Sequence, residues 1–214
     1  MNIEYIKVNQ AVKKFQGQTV LDNVSLTLKK GGIYGIVGRN GSGKTVLFKC
    51  ICGFFTLDSG EISIDGKKMK KDINMLTDAG IIIEEPAFLR NYSGIKNLSY
   101  LYMIQNKLDK NYLCSVMEKV GLDPLSKKKV GKYSMGMRQR LAIAQAIMED
   151  KSILILDEPM NGLDNIGVDE MRTLILSLKR DGKTILLASH NKEDINLLCD
   201  EIYEMDMGKL RSIY

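Results

Sequence analysis

Apolar and polar positions along this chain follow three successive patterns. In the first third, Ile6-Lys7-Val8 and Val24-Ser25-Leu26-Thr27-Leu28 alternate with the period of a strand that buries one face. Gly31-Gly32 predicts a turn, and Ile33-Tyr34-Gly35-Ile36-Val37 is apolar throughout, as in a buried strand. Thr45-Val46-Leu47-Phe48-Lys49-Cys50-Ile51 reads as a helix, with Gly53 placed to close its C-terminal end. Glu61-Ile62-Ser63-Ile64 reads as a strand entering a tight turn at Asp65-Gly66, and Ala79-Gly80-Ile81-Ile82-Ile83 as another buried strand. From about Ile95 to Val120 the period becomes helical, through Leu98, Leu101, Tyr102 and Gln105, then Leu113, Val116, Met117 and Val120. Gly121-Leu122-Asp123-Pro124 breaks that run. Gly136 to Glu149 predicts a further helix, whose Leu141, Ala142, Ala144, Gln145 and Met148 leave one small, packable face.

In the last third, strands at Ser152–Leu156 and Thr184–Ala188 alternate with helices at Val168–Lys179 and Glu193–Cys199. Strands alternating with helices imply a parallel sheet with helices packed on it. The expectation is an α/β fold in one domain over residues 1–214, with a helical subdomain at about 87–149 inserted between strands.

Composition changes this picture little. A chain of 214 residues can bury a full core, and 44% hydrophobic with 27% charged residues is ordinary for a soluble protein. The net charge of +5 comes partly from Lys67-Lys68, Lys70-Lys71 and Lys127-Lys128-Lys129. Such clusters read as solvated surface, or as contacts to anionic lipid headgroups. No aromatic residues interleave with them, which argues against nucleic acid. Cys50, Cys52, Cys114 and Cys199 lack the paired spacing of a zinc site and read as reduced core residues of a cytosolic protein. Met1-Asn2-Ile3-Glu4-Tyr5-Ile6-Lys7 has no secretory character, and no apolar run approaches the roughly 20 residues of a membrane span.

The candidate chemistry is concentrated in three places. Gly38-Arg39-Asn40-Gly41-Ser42-Gly43-Lys44-Thr45 joins a predicted strand to a predicted helix and has the glycine spacing of the phosphate-binding P-loop. Its backbone N–H groups and the following helix N-terminus, with Val46, form an anion cradle. Lys44 is spaced to reach the β- and γ-phosphates, and the Thr45 hydroxyl to ligate Mg²⁺. Asp157 and Glu158 end the apolar strand Ile153-Leu154-Ile155-Leu156. In a parallel sheet that end lies beside the P-loop mouth, where Asp157 can hold Mg²⁺ and Glu158 can orient an attacking water. His190, the single histidine, ends the strand Ile185-Leu186-Leu187-Ala188-Ser189 at the same sheet edge, in reach of a γ-phosphate.

Tyr133-Ser134-Met135-Gly136-Met137-Arg138-Gln139-Arg140-Leu141-Ala142-Ile143-Ala144 resembles the signature of ABC-type ATPases, in which a Leu-Ser-Gly-Gly-Gln run opens a helix. Ser134 and Gly136 would present a hydroxyl and free N–H groups to an anion. The likeness covers nearly the whole chain, with the motifs in the family order. It implies a P-loop ATPase fold with a mostly parallel core sheet, an N-terminal antiparallel β subdomain and the inserted helical subdomain. By the same resemblance Phe15 stacks on adenine. Glu84 stands where the family usually has the Q-loop glutamine that touches Mg²⁺ and the attacking water. Asn161-Gly162-Leu163-Asp164 is the D-loop, and His190 the switch histidine.

The resemblance further implies ATP and Mg²⁺ as cofactors, and a head-to-tail homodimer in which Ser134 and Gly136 cover the nucleotide of the other subunit. Glu158 would be the general base, with Lys44, Glu84 and His190 around the γ-phosphate. A membrane-spanning permease on a separate chain would be the partner, on the inner face of the cell membrane. Glu84 for glutamine, Met135 for glycine and Met137 for glutamine are departures from the pattern, and they resemble the subgroup associated with bacitracin resistance and lantibiotic self-protection. Export of an antimicrobial peptide or lipophilic compound follows as an expectation. A soluble ABC-type ATPase acting on ribosomes or DNA, and a P-loop kinase of small metabolites, are the rival readings.

Overall fold

The apolar run at 33–37 becomes strand β3 (Ile33–Val37), inside a six-stranded sheet with both faces covered. The computed structural model describes residues 4–85 and 87–213; the first three residues, Pro86 and Tyr214 lie outside the described residues. Neighbouring strands in this sheet are β7 (Ile153–Asp157), β8 (Thr184–Ser189), β9 (Glu201–Asp206), β6 (Ala79–Ile82) and β10 (Lys209–Ser212), in the order β10-β9-β3-β8-β7-β6. All pairings are parallel except the final β9–β10 hairpin. Successive side chains of these strands enter different cores. Ile33, Val37, Leu154, Leu156, Ile185 and Leu187 join one, while Tyr34, Ile36, Ile153, Ile155, Leu186 and Ala188 join the other. A strand covered on both faces has no polar phase, which is why these segments read as unbroken apolar runs.

The second core lies beneath an antiparallel sheet of order β2-β1-β4-β5, formed by β1 (Glu4–Phe15), β2 (Gln18–Lys29), β4 (Ser59–Ile64) and β5 (Lys67–Lys68). Helix α1 (Lys44–Ile51) shares that core through the fully buried Leu47, Phe48 and Ile51. Both long strands exceed what their alternation predicts. Register shifts between β1 and β2, with Gln10 and Asn23 at positive φ, interrupt the period and hide their full length.

Between the parallel neighbours β6 and β7 the chain leaves the sheet to form α2 (Gly94–Tyr102), α3 (Lys110–Lys119), a single 3-10 turn (Val130–Lys132) and α4 (Met135–Ile147). The continuous helical run expected from Ile95 to Val120 is therefore corrected to two helices. Residues 103–109 break it, with Met103 and Ile104 exposed and the Asp109 carboxylate capping the Tyr112 N–H of α3. The fourth helix begins one residue earlier than expected and ends two residues short of Glu149. Gly80 of β6 lies directly under its last turn. A methyl group there would stand 1.8 Å from the Ala146 carbonyl oxygen. Helices α5 (Asn165–Arg180) and α6 (Lys192–Leu198) complete the layer.

Candidate nucleotide site

The loop between β3 and α1 is shaped by its glycines and braced by the C-terminal hairpin. Gly43 caps α1 with φ +113°, a conformation closed to most side chains, and any side chain at Gly38 would strike the Met205 carbonyl oxygen of β9 at 2.3 Å. The Gly208 N–H donates to the Ser42 carbonyl (3.1 Å), so the turn after β9 holds the loop from outside. Lys44 is buried, and its ammonium donates to the carbonyls of Gly38 (2.7 Å) and Arg39 (3.2 Å), within the loop it would cross to reach phosphate.

Strand β8 separates β3 from β7, yet the loop and the end of β7 meet. The Thr45 hydroxyl donates to Asp157 Oδ2 at 2.6 Å. Burial pushes the Asp157 carboxyl above its ordinary value; the Thr45 bond and Lys44 act against that, and Glu84 adds to it. Hydroxyl and carboxylate oxygens are the hard donors Mg²⁺ takes, and Mg²⁺ commonly keeps only one or two protein ligands alongside phosphate oxygens. Among the described residues no three His, Cys, Asp or Glu side chains converge on a metal position. The donor set therefore fits Mg²⁺ held with a phosphate, and does not fit a protein-only cage.

Glu158 is held through both its backbone and its side chain. Its backbone is left-handed (φ +51°), its N–H donates to Ala188 of β8 (2.9 Å), and its carbonyl accepts from the Asn161 N–H (3.1 Å). One carboxylate oxygen, Oε2, accepts from His190 Nδ1 at 2.8 Å, which fixes the proton of a neutral ring on Nδ1. The other, Oε1, is buried and has no hydrogen-bond partner among the described residues. The Ser42 hydroxyl is orphaned in the same way. Two unpaired buried oxygens near the mouth of the P-loop are what a water or phosphate group would satisfy. A cleft of about 380 Å³ joins these groups, lined by Asn40 to Ser42, Lys44, Thr45, Glu84, Asp157, Glu158, Asn161 and, from α4, Met135, Arg138 and Gln139.

The sequence profile of the family described as ABC transporter matches residues 21–161. The chain belongs to this family. It is 43% identical over 207 residues to the uncharacterized ABC transporter ATP-binding protein YybJ of Bacillus subtilis (strain 168), covering 97% of this chain and 95% of that one. It is 42% identical to the bacitracin transport ATP-binding protein BcrA of Bacillus licheniformis, over 96% of this chain and 68% of the relative. Its fold matches the dimeric structure of the bacterial ABC transporter cassette MJ0796 with a TM-score of 0.87 at 21% identity, covering 97% of both chains. The chain is an ATP-binding ATPase subunit of a transporter; the ribosome- or DNA-directed reading is not favoured.

Not every residue nominated from the ABC motifs lines the cleft. Phe15 stands at the end of β1, 38% exposed, with its ring edge-on to Phe55 at 5.3 Å and Lys13 over its face. His190 borders a neighbouring cleft with Gly38 and Arg39 and reaches the site through Glu158. Val46 follows Thr45 in α1. Ser134 is the N-cap of α4, its hydroxyl accepting the Met137 N–H at 3.2 Å. Gly136 packs on the D-loop, where a methyl group would lie 2.9 Å from the Gly162 carbonyl, and Met135 covers Gly162.

Two contacts were not expected from sequence. Lys49 of α1 pairs with Glu84 at 2.6 Å. Gln139 of α4 donates to the carbonyls of Glu158 (3.2 Å) and Pro159 (3.0 Å). The only sequence signal for Gln139 was its place in the Arg138-Gln139-Arg140 run.

Proposed function

We propose that this ATPase works as half of a head-to-tail dimer on the inner face of a cell membrane, driving a separate permease that exports an antimicrobial peptide or lipophilic compound. The ATPase and transporter roles rest on family membership; the export substrate rests on the likeness to BcrA. Among the described residues no helix is long and apolar enough to cross a membrane.

In this reading Gly38 to Val46 cradle the phosphates of ATP, Lys44 turns from the Gly38 carbonyl to the β- and γ-phosphates, and Phe15 supports the base. Thr45 and Asp157, with Glu84 opposite, would hold Mg²⁺, which supplies positive charge to the phosphate oxygens. Glu158 takes a proton from the attacking water on its unpaired Oε1, while its Oε2 stays bonded to His190. As an imidazolium, His190 has a second N–H, on Nε2, to donate to the γ-phosphate. Ser134 and Gly136, at the exposed N-terminus of α4, cover the nucleotide of the second subunit. The segment 87–149 moves as a helical subdomain and passes the closure to the permease.

The observation that carries the reading is the Glu158–His190 pair beside an orphaned carboxylate oxygen. Glu158→Gln keeps the shape of the site without a base. It is expected to bind ATP with wild-type affinity, lose at least about a hundredfold in turnover, and collect as an ATP-bound dimer by light scattering. Wild-type turnover in that variant would remove Glu158 from the role.

A further inference from the structure

Gln139 lies five residues beyond Ser134 in α4, and its side-chain amide has two N–H groups. Both have acceptors in one short stretch of main chain, the carbonyls of Glu158 and Pro159. That stretch is poised to respond. Glu158 is a non-glycine residue in the left-handed region, a conformation that persists only while its surroundings hold it. Its N–H is held by β8 and its carbonyl by the Asn161 N–H of its own turn. Gln139 is the restraint that comes from the helical segment, the same helix whose first turn carries Ser134.

We propose that Gln139 is a positioning residue that ties the aim of the Glu158 carboxylate to the placement of α4. Tilting α4 pulls on the Glu158 peptide. Because the residue sits between two fixed bonds, the pull rotates its side chain relative to His190. The same movement of α4 brings Ser134 toward the second subunit. Each base is thereby aligned when its own chain's signature is seated on the other subunit's nucleotide, which links the two sites. This rests on the reading of Glu158 as base.

Gln139→Met preserves the length of the side chain and removes both donors. It is expected to lower kcat about tenfold, the loss of one to two ordinary hydrogen bonds, with KM and Kd for ATP within about twofold. In a Glu158→Gln background the same change should cost less than about twofold, because a residue acting through Glu158 has nothing left to act on. A separate readout needs no nucleotide. The chain has a single histidine, so ¹⁵N imidazole resonances report His190 alone. Gln139→Met should shift the Nδ1 signal as the bond to Glu158 loosens, with the thermal midpoint lowered by only about a few degrees. Wild-type kcat with an unmoved His190 signal would overturn the proposal, as would a tenfold loss repeated in full in the Glu158→Gln background. Should Glu158→Gln alone turn over at the wild-type rate, the base reading falls and takes the proposal with it. That failure is recognisable because it arises with Gln139 intact.

Discussion

Lys49 Nζ lies 2.6 Å from Glu84 Oε1, so the last turn of the helix behind the P-loop neutralises a carboxylate that lines the cleft. Glu84 lines the same cleft as Asp157 and Glu158, and without the lysine one more unpaired carboxylate would face the phosphates of ATP. Lys49→Met is expected to weaken ATP binding about two- to fivefold at low salt, a modest effect because Glu84 is largely exposed and the pair is screened. Adding Glu84→Gln should restore wild-type affinity. Fluorescent-nucleotide titration at low and high salt checks this; an additive double variant would separate the two residues.

Arg172 on α5 directs Nε and Nη2 to a single oxygen of Asp194 on α6, at 3.0 and 2.6 Å, and Asp194 is almost wholly buried. Removing the arginine strands a buried charge. Arg172→Leu should therefore cost about 3 kcal/mol in urea unfolding, while Arg172→Leu with Asp194→Leu recovers most of it. Equal losses in the two variants would mean that packing, and not the stranded charge, sets the cost.

Burial raises the Cys50 thiol from 9.0 to about 11 and the Cys52 thiol to about 12. The folded chain therefore holds these protons more tightly than the unfolded chain. Their contribution to stability is complete below about pH 9 and is lost as pH climbs toward the folded values, at about 1.4 kcal/mol per pH unit for each thiol. Urea unfolding between about pH 9 and 11 should show a shallower decline for Cys52→Ala than for the wild type. Parallel declines would contradict the burial of that proton.

The parallel sheet was legible because its strands are apolar on both faces: Ile33–Val37 and Ile153–Leu156 were bounded within a residue. The two long antiparallel strands were legible only where alternation survived between bulges, at Ile6–Val8 and Val24–Leu28, while the shorter β4 was read over Glu61–Ile64. The hairpin of β9 and β10 was missed, although Tyr203 and Met205 are buried in alternation and Gly208 turns the chain, because Glu201, Glu204 and Asp206 dilute the apolar signal. At the site, spacing alone brought Thr45, Asp157, Glu158 and His190 to one sheet edge. Gln139 and Lys49 were invisible in their roles. One binds main-chain carbonyls, which every residue carries, and the other pairs across elements that share no local pattern.

Gly80→Ala would place a methyl group against a main-chain oxygen of α4 that cannot swing aside. It should cost about 3 kcal/mol or more. Gly182→Ala meets only open space but must adopt φ +83°, and should cost about 1 kcal/mol. Thermal and urea melts rank the two, and the reverse order would show that β6 and α4 separate freely.

That contact also makes α4 a lever. Its C-terminal end is pinned to the sheet where Ala146 rests on Gly80, while Ser134 stands at the far end, beyond the contact of Gly136 with Gly162. At about 1.5 Å per residue the arm is roughly 20 Å long, so a tilt of about 10° sweeps the tip some 3 Å and the midpoint, near Gln139, about half as far. In the proposed dimer, a few ångströms at the tip span the difference between a seated and an unseated Ser134. Half that distance is enough to break or remake a hydrogen bond. A missing side chain on one strand thus sets the gearing between the two.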